Sequence, residues 1–350
     1  MLEKIRFYNL NMAELADVLK GLGKEGFRAQ QLFRWVYGER QTDPEKMLNL
    51  AKDFRKELPA RFDFSLPEIV TEHVSKDGTK KYLFNVGAGK TVEAVVIPSE
   101  DRLTLCLSSE VGCNMACKFC FTAKQKLQRR LETWEIVGQY LVVNDRLALE
   151  GQKLTNIVFM GMGEPLDNPD NVFKSIEIFH SPWGLNLSRK KITVSTSGIV
   201  PMIPLVAKSG ARLAVSLNAV NDQVRSEVMP INKRWPLKDL LAACQQHYED
   251  SGDKITFEYV LLKGVTDSLA DAKALYELTK PIPCKINIIP FNEHPNSGYE
   301  RPEESRIVAF HNELMRLGAH VLRRRTMGRD IYAACGQLTT VANKPTELSV

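Results

Sequence analysis

From residue 102 onward the chain alternates short apolar, β-branched runs with helical stretches, and this alternation limits the fold more than any other feature. The runs are RLTLCLSS, TNIVFMG, KITVSTS, ARLAVSLN, KITFEYVLL and CKINIIPF. Six such units in succession call for parallel strands with right-handed crossovers, hence an open doubly wound sheet or a full or partial β/α barrel. Six strands favour the partial barrel. In either architecture a ligand lies at the carboxyl ends of the strands, so the residues ending each run form one set. They are polar and glycine-rich: a cysteine loop after the first run, Gly161, Met162, Gly163 and Glu164 after the second, then Ser195 to Gly198, Ser216, Leu217 and Asn218, and Asn292. Singly each reads as turn chemistry; together they predict one site.

Residues 1–62 read as short helices. NMAELADVLKGLG stops at glycine, FRAQQLFRWVYG carries apolar residues at helical spacing, and PEKMLNLAKDFRKEL starts from a proline. Residues 63–100 contain KYLFNV and TVEAVVI, alternating in period two across Gly87, Ala88 and Gly89, which predicts a β-hairpin joining the module to the body. The β/α region spans 101–322, and 323–350 form a carboxyl-terminal segment. At 44% hydrophobic and 25% charged residues the chain has the composition of an ordinary globule. No apolar run approaches the roughly 18 residues of a spanning helix, and Glu3 and Lys4 interrupt the start MLEKIRFYNLN. A cytoplasmic protein without membrane contact is predicted.

Seven cysteines are too few for a disulfide scaffold, and three of them, Cys113, Cys117 and Cys120, fall within eight positions. In a reducing compartment that crowding points to a metal. Three thiolates are one short of a closed tetrahedral zinc site or an ordinary iron–sulfur cluster, which leaves one metal position open. Cys106 is the nearest fourth thiol but lies inside a strand. Structural zinc and buried free cysteines are the alternatives. Cys244 and Cys284 read as packing residues, and His247, His294 and His311 lack a ligand-like setting. The net charge of +5 is mild, so basic clusters matter more. Lys118, Lys124, Lys126, Arg129 and Arg130 surround the cysteines, Arg189 to Lys191 precede one strand, and Arg323, Arg324, Arg325 and Arg329 lie before Cys335. Such runs are ordinarily solvated faces; those near the cysteines and before Cys335 would neutralise phosphates of a nucleic acid.

A CxxxCxxC motif after the first strand of a βα series resembles the signature of radical S-adenosylmethionine (SAM) enzymes. SSEVGCNMACKFCFTA, GMGEPLDN, VSTSGIVP, SLNAVNDQVRSEVMPIN and DIYAACGQL together resemble one branch, the RlmN-type RNA adenine methyltransferases, over essentially the whole chain. The resemblance implies a radical SAM partial (β/α)6 barrel with a small N-terminal helical domain and a connecting β-hairpin. It implies a 4Fe-4S cluster on Cys113, Cys117 and Cys120, with SAM on its open iron, and two SAM molecules per turnover. One SAM methylates Cys335; the other yields a 5′-deoxyadenosyl radical that activates that methyl group, joining protein to RNA through it. Cys106 then forms a transient disulfide with Cys335 and frees the base, while Glu93 accepts the substrate proton. On residue type alone Glu93 would be an exposed glutamate on an alternating strand.

The SAM contacts implied by the resemblance fall on Gly163, Glu164, Ser195, Ser216, Leu217, Asn218 and Asn292, the strand ends already picked out. Asn218 stands where relatives often carry histidine. The implied partners are 23S rRNA, at an adenosine of the peptidyl-transferase centre, tRNA, at the adenosine 3′ of the anticodon, and an electron donor such as a flavodoxin-type protein, with the enzyme acting as a monomer. A splayed or looped adenosine is the form a buried active site can reach. Three rival readings remain at this point: the sister Cfr type, which methylates adenine C8; a non-catalytic RNA-binding protein with structural zinc; and a radical SAM activase acting on a partner protein.

Overall fold

The computed structural model describes residues 4–294 and 297–339. Residues 340–350, the end of the expected carboxyl-terminal segment, lie outside the described residues. Three helices open the chain: α1 (Met12–Gly21), α2 (Phe27–Phe33) and α3 (Lys52–Arg61). Asn11 starts α1 with a capping box, accepting from the Glu14 amide at 2.9 Å while Glu14 accepts from its own amide. After Pro44 the chain makes only a 3-10 turn, Pro44–Lys46, before α3 begins at Lys52. The single helix expected there is divided because Met47 and Leu50 turn inward and are buried.

The module closes around aromatic rings. Phe7 is fully buried and meets Tyr8, Phe33, Tyr37, Phe62 and Phe64 with centroids 5.0–6.2 Å apart.

A ten-stranded sheet forms the body. Its strands are β1 (Glu68–Val74), β2 (Lys80–Asn85), β3 (Thr91–Ser99), β4 (Arg102–Cys106), β5 (Asn156–Phe159), β6 (Ile192–Thr196), β7 (Arg212–Ser216), β8 (Ile255–Leu261), β9 (Cys284–Pro290) and β10 (Val321–Arg323). From β4 to β10 every neighbouring pair is parallel and follows chain order. A doubly wound sheet reverses its strand order at a switch point. Here there is no reversal, and the sheet ends at two open edges, which is the arrangement of a partial barrel. The crossovers are α4 (Thr133–Ala148), α5 (Pro169–His180), α6 (Ile203–Ser209), α7 (Asp222–Val228) with α8 (Leu237–Ser251), α9 (Leu269–Thr279) and α10 (Glu304–Arg316).

The expected hairpin is present as β2 and β3, but it is not a separate connector. β1 adds a third antiparallel strand, and β3 pairs antiparallel with β4, so one sheet runs across residue 100 into the barrel. Glu68, Glu72 and His73 mask β1 in the sequence. The helical module rests on α4 and α5: Asn9 bonds Glu132 and the Trp134 amide, Arg6 lies over the Trp134 ring at 4.0 Å, and Lys174 pairs with Glu14 at 2.6 Å. No helix among the described residues is long and apolar enough to cross a membrane.

Removing the central ring of the module tests this packing. Phe7→Ala is expected to lower stability by about 3–5 kcal/mol, read by urea unfolding; a loss under 1 kcal/mol would show that the aromatic cluster does not hold the module together.

Candidate active site

The parallel strands aim their carboxyl ends at one cavity. Its wall contains Cys113, Cys117 and Cys120 from the loop after β4, Gly163 and Glu164 after β5, Ser195 of β6 with Ser197 just beyond it, and Ser216 of β7 with Asn218 just beyond it. Glu258 on β8, Asn292 after β9, Arg324 after β10 and Cys335 complete it. Six of the seven residues expected to touch SAM therefore share one wall with the three clustered cysteines. Leu217 does not. It is fully buried, with its amide donating to the Glu258 carbonyl at 3.0 Å and its own carbonyl accepting from Arg225 at 2.9 Å.

The glycines after β5 have a packing reason. A Cβ on Gly161 would come within 2.5 Å of the Leu107 carbonyl oxygen, and Gly163, at φ +101°, would place one 2.6 Å from the Glu110 Cβ. The loop after β5 is pressed against the continuation of β4, and only glycine fits between. Glu164, 3% exposed, accepts from the Ser197 amide at 2.7 Å and the Leu166 amide at 3.1 Å, and burial raises its pKa. Behind it Glu110 accepts from the Glu164 amide at 2.8 Å, and burial pushes this carboxyl up to about 8.

Asn218 sits at φ +56° and spends its side chain on the protein: the amide oxygen accepts from the Val260 amide at 2.9 Å and the nitrogen reaches Met229 Sδ at 3.2 Å. It pins the end of β7 to β8.

Burial raises the pKa of all three clustered thiols. They are protonated until an ion displaces the protons. Among the described residues no three cysteine, histidine or acidic groups gather around one ion-sized point. A single zinc needs its sulfurs all about 2.3 Å from one centre. Three thiols facing one cavity are the donor set of a polynuclear cluster that takes one thiolate per iron and leaves a further iron open.

The loop that bears them is fixed from several sides. Lys118 donates its amide to Val228, His294 Nε2 lies 3.1 Å from the Phe119 carbonyl, and the Phe121 amide donates to Gly336 at 2.7 Å. His294, which lacks a ligand-like setting in the sequence, is buried against the cysteine loop.

Cys335 follows the last strand and is seated by a set of long-range hydrogen bonds. Asn292 Nδ2 donates to its carbonyl at 3.1 Å and Asn292 Oδ1 accepts from Thr326 at 3.2 Å. Thr122 donates to the Leu338 carbonyl at 2.8 Å, Gln337 to the Glu293 carbonyl at 2.6 Å, and the Thr339 amide to Glu93 at 2.9 Å. Both ends of the Asn292 side chain are therefore engaged by the chain's own tail.

Cys335 also lines a second, smaller cavity together with Cys106, Asn292 and Arg324. Both cysteines are free thiols. Burial pushes Cys106 up to about 12, and the neighbouring Cys335 adds to the shift.

Glu93 is 4% exposed rather than surface-facing, and its carboxylate pairs with Lys81 at 2.9 Å. Burial raises its pKa while Lys81 and the Thr339 amide oppose the shift. Glu93 does not line the main cavity; it holds the amide of Thr339, the neighbour of the cavity-lining Leu338.

The basic run 323–325 divides by role. Arg324 faces inward between Glu258, 4.0 Å away, and the two thiols, and the charge of Cys335 raises its pKa. Arg323 pairs with Glu304 and Arg329 with Glu293; Arg129 is held by Glu135 and Arg130 by Asp167. Lys118, Lys126, Arg325 and Arg189 to Lys191 are left exposed as the candidates for phosphate contact. Glu258 was not singled out from the sequence. Its signal was a carboxylate in the middle of the otherwise apolar run KITFEYVLL, held here by two contacts from Asn287 at 2.9 and 3.1 Å.

Residues 108–275 match the model of the radical SAM superfamily, and residues 5–63 match that of the ribosomal RNA large subunit methyltransferase N-terminal domain. A protein of Bdellovibrio bacteriovorus called dual-specificity RNA methyltransferase RlmN is 66% identical, covering 99% of this chain and 87% of its own. Its namesake from Geotalea uraniireducens is 48% identical over 96% of this chain and 97% of its own. Among solved structures, a radical SAM methyltransferase from Sphaerobacter thermophilus superposes with a TM-score of 0.90 at 39% identity, covering 96% of this chain and 100% of that one. A sequential parallel sheet, a cysteine loop at its first strand end and near full-length identity at this level place the chain in the RlmN family of radical SAM methyltransferases.

Proposed function

We propose that the protein methylates C2 of an adenosine in the peptidyl-transferase centre of 23S rRNA and of the adenosine 3′ of the anticodon in tRNA. The observation that carries this reading is the position of Cys335, which faces the cysteine-walled cavity on one side and Cys106 on the other. The dual-specificity name of the relatives supports the two RNA substrates. The enzyme acts as a cytoplasmic monomer, served by a one-electron donor of the flavodoxin type.

Cys113, Cys117 and Cys120 would each ligate one iron of a 4Fe-4S cluster. Gly163, Glu164, Ser195, Ser216, Asn218 and Asn292 would surround SAM, with the Asn218 and Asn292 side chains serving mainly to hold the wall. When bound, these groups supply the methyl group and the one-electron cleavage that activates it. Cys335 carries the carbon: its sulfur gains the methyl as the donor's sulfur–carbon bond breaks, and its thiol proton is lost.

Once that carbon is bonded to adenine, Cys106 attacks the Cys335 sulfur. A disulfide forms, the sulfur–carbon bond breaks, and its electron pair stays with the CH2 carbon on the base, which takes up a proton from solvent to become the methyl group. Arg324, beside Cys106, opposes the burial that keeps that thiol protonated. Glu93 takes the proton displaced from adenine, reached by a shift of the Thr339 end of the Cys335 loop.

Unmodified 23S rRNA fragment incubated anaerobically with loaded protein, SAM and reductant should yield 2-methyladenosine by nucleoside mass spectrometry. 8-Methyladenosine would assign the chain to C8 chemistry, and neither product despite SAM cleavage would remove the proposed substrate. Cys335→Ala should keep the iron and take up no methyl group.

Cys106→Ala should slow release of the RNA–protein adduct roughly 100-fold, seen as a persistent mass shift; release at the normal rate would rule out the resolving role. Because the buried Cys106 thiol is held up at about 12, it is protonated at neutral pH. Its thiolate fraction grows about tenfold per pH unit below that value. Adduct decay in a single turnover should therefore quicken steeply from pH 7 to 9, and a flat profile would contradict thiolate attack.

A further inference from the structure

Arg225, on α7, heads the large side chains that are fully buried. Its guanidinium makes four hydrogen bonds: Nε to the Leu217 carbonyl at 2.9 Å, Nη2 to the carbonyls of Ser197 at 2.7 Å and Ser216 at 3.0 Å, and Nη1 to Asn232 Oδ1 at 2.9 Å. Every acceptor is a neutral oxygen. Among the described residues no carboxylate lies within ion-pair distance of it. A buried cation without a counterion costs several kcal/mol, so a neutral set of acceptors is an incomplete environment for it. Ser197 and Ser216, whose carbonyls it holds, line the cavity together with Cys117, and an ionised Cys117 would be the strongest opposite charge acting on it. The last residue of α7, Val228, also accepts from the Lys118 amide next to Cys117. One short helix thus ties the cysteine loop at its end and the tips of β6 and β7 through its arginine.

We infer that Arg225 is the built-in countercharge of the cluster held by Cys113, Cys117 and Cys120, and that it sets the cluster's reduction potential while fixing the strand ends around SAM. The inference rests on the reading of those cysteines as cluster ligands. Three thiolates make such a cluster anionic, and one-electron reduction adds another negative charge. A fixed cation in a water-excluded site favours the reduced form. Arg225 does not line the cavity and acts through Cys117 and the carbonyls it holds, so it is a positioning residue. Its charge and its reach have separable effects.

Wild type, Arg225→Lys and Arg225→Met are reconstituted anaerobically, and iron and sulfide content with the electron paramagnetic resonance signal of dithionite-reduced protein establishes loading. The cluster midpoint potential is then measured by mediated titration, and SAM affinity by equilibrium dialysis. Arg225→Met should hold at least tenfold less reduced cluster at a fixed potential, a shift of about 59 mV for a one-electron couple. Arg225→Lys, which keeps the charge but cannot span three carbonyls, should stay within threefold of wild type in potential while binding SAM about tenfold more weakly. Arg225→Gln takes the place of Arg225→Met if the latter does not load. An unchanged potential without the charge overturns the inference, as does a lysine variant shifted as far as the methionine one. A wild type that takes up no iron–sulfur cluster instead removes the cluster reading itself.

Discussion

Asn292 donates to the Cys335 carbonyl, Phe121 to Gly336, Thr122 to Leu338 and Thr339 to Glu93, and through these bonds a segment that follows the last strand returns over the loop after β4, the first of the parallel strands. The chemistry of the site depends on that return. Two of the thiols given separate roles, Cys106 inside β4 and Cys335 in the tail, line one small cavity only because the tail is seated. The partners of the tail come from both loop systems, the cysteine loop and the antiparallel strands β1 to β3. Asp77 and Ser75, in the turn between β1 and β2, hold Gly328 and Asp330 at 2.8 and 2.5 Å. The antiparallel strands are thus a clamp for the reactive segment as well as an extension of the sheet.

The wall of the cavity and the layer behind it also concentrate ionisable groups that folding alone would not favour. Glu164, Glu258, Glu110 and Arg225 are all buried, at 5% exposure or less. Each is engaged by directed hydrogen bonds with protein groups. Fixed dipoles and charges of this kind need little reorganisation when charge develops nearby. The cost of keeping them dry is offset by the surrounding apolar layers, where the sheet strands contribute residues such as Val194, Leu213, Phe257 and Ile286 at 1% exposure or less.

Much of this was legible in the sequence because the β/α pattern has a strong period and because ligands gather at strand ends in such folds. The six runs are strands in the predicted order, and most of the residues that end them line one cavity; Met162, Thr196, Gly198 and Leu217 do not, and Leu217 packs into the core beside the cavity-lining Ser216. Sequence reasoning was weaker where a residue's role depends on which way a side chain faces. Arg324 was hidden in a run of like charges that reads as a phosphate contact, and Glu93 in an alternating strand that reads as solvent-facing. β1 was hidden by its charged residues, and His294 by the absence of nearby ligating residues in sequence. Each of these is settled by contacts far along the chain, which periodicity does not record.

The strand order has a consequence for how the molecule is built. Every strand from β1 to β10 pairs with its immediate predecessor, so the sheet can grow in the order in which residues leave the ribosome. The contacts that seat the tail are of the opposite kind, separated by 246 to 255 positions between Glu93 and Thr339, Asp77 and Gly328, and Ser75 and Asp330. Closing such distances carries the largest entropic cost in the chain and cannot precede synthesis of the tail. A nascent chain therefore has a nearly complete sheet, with its cysteine loop open, before it has an active site. The reactive thiols meet only in the final stage of folding.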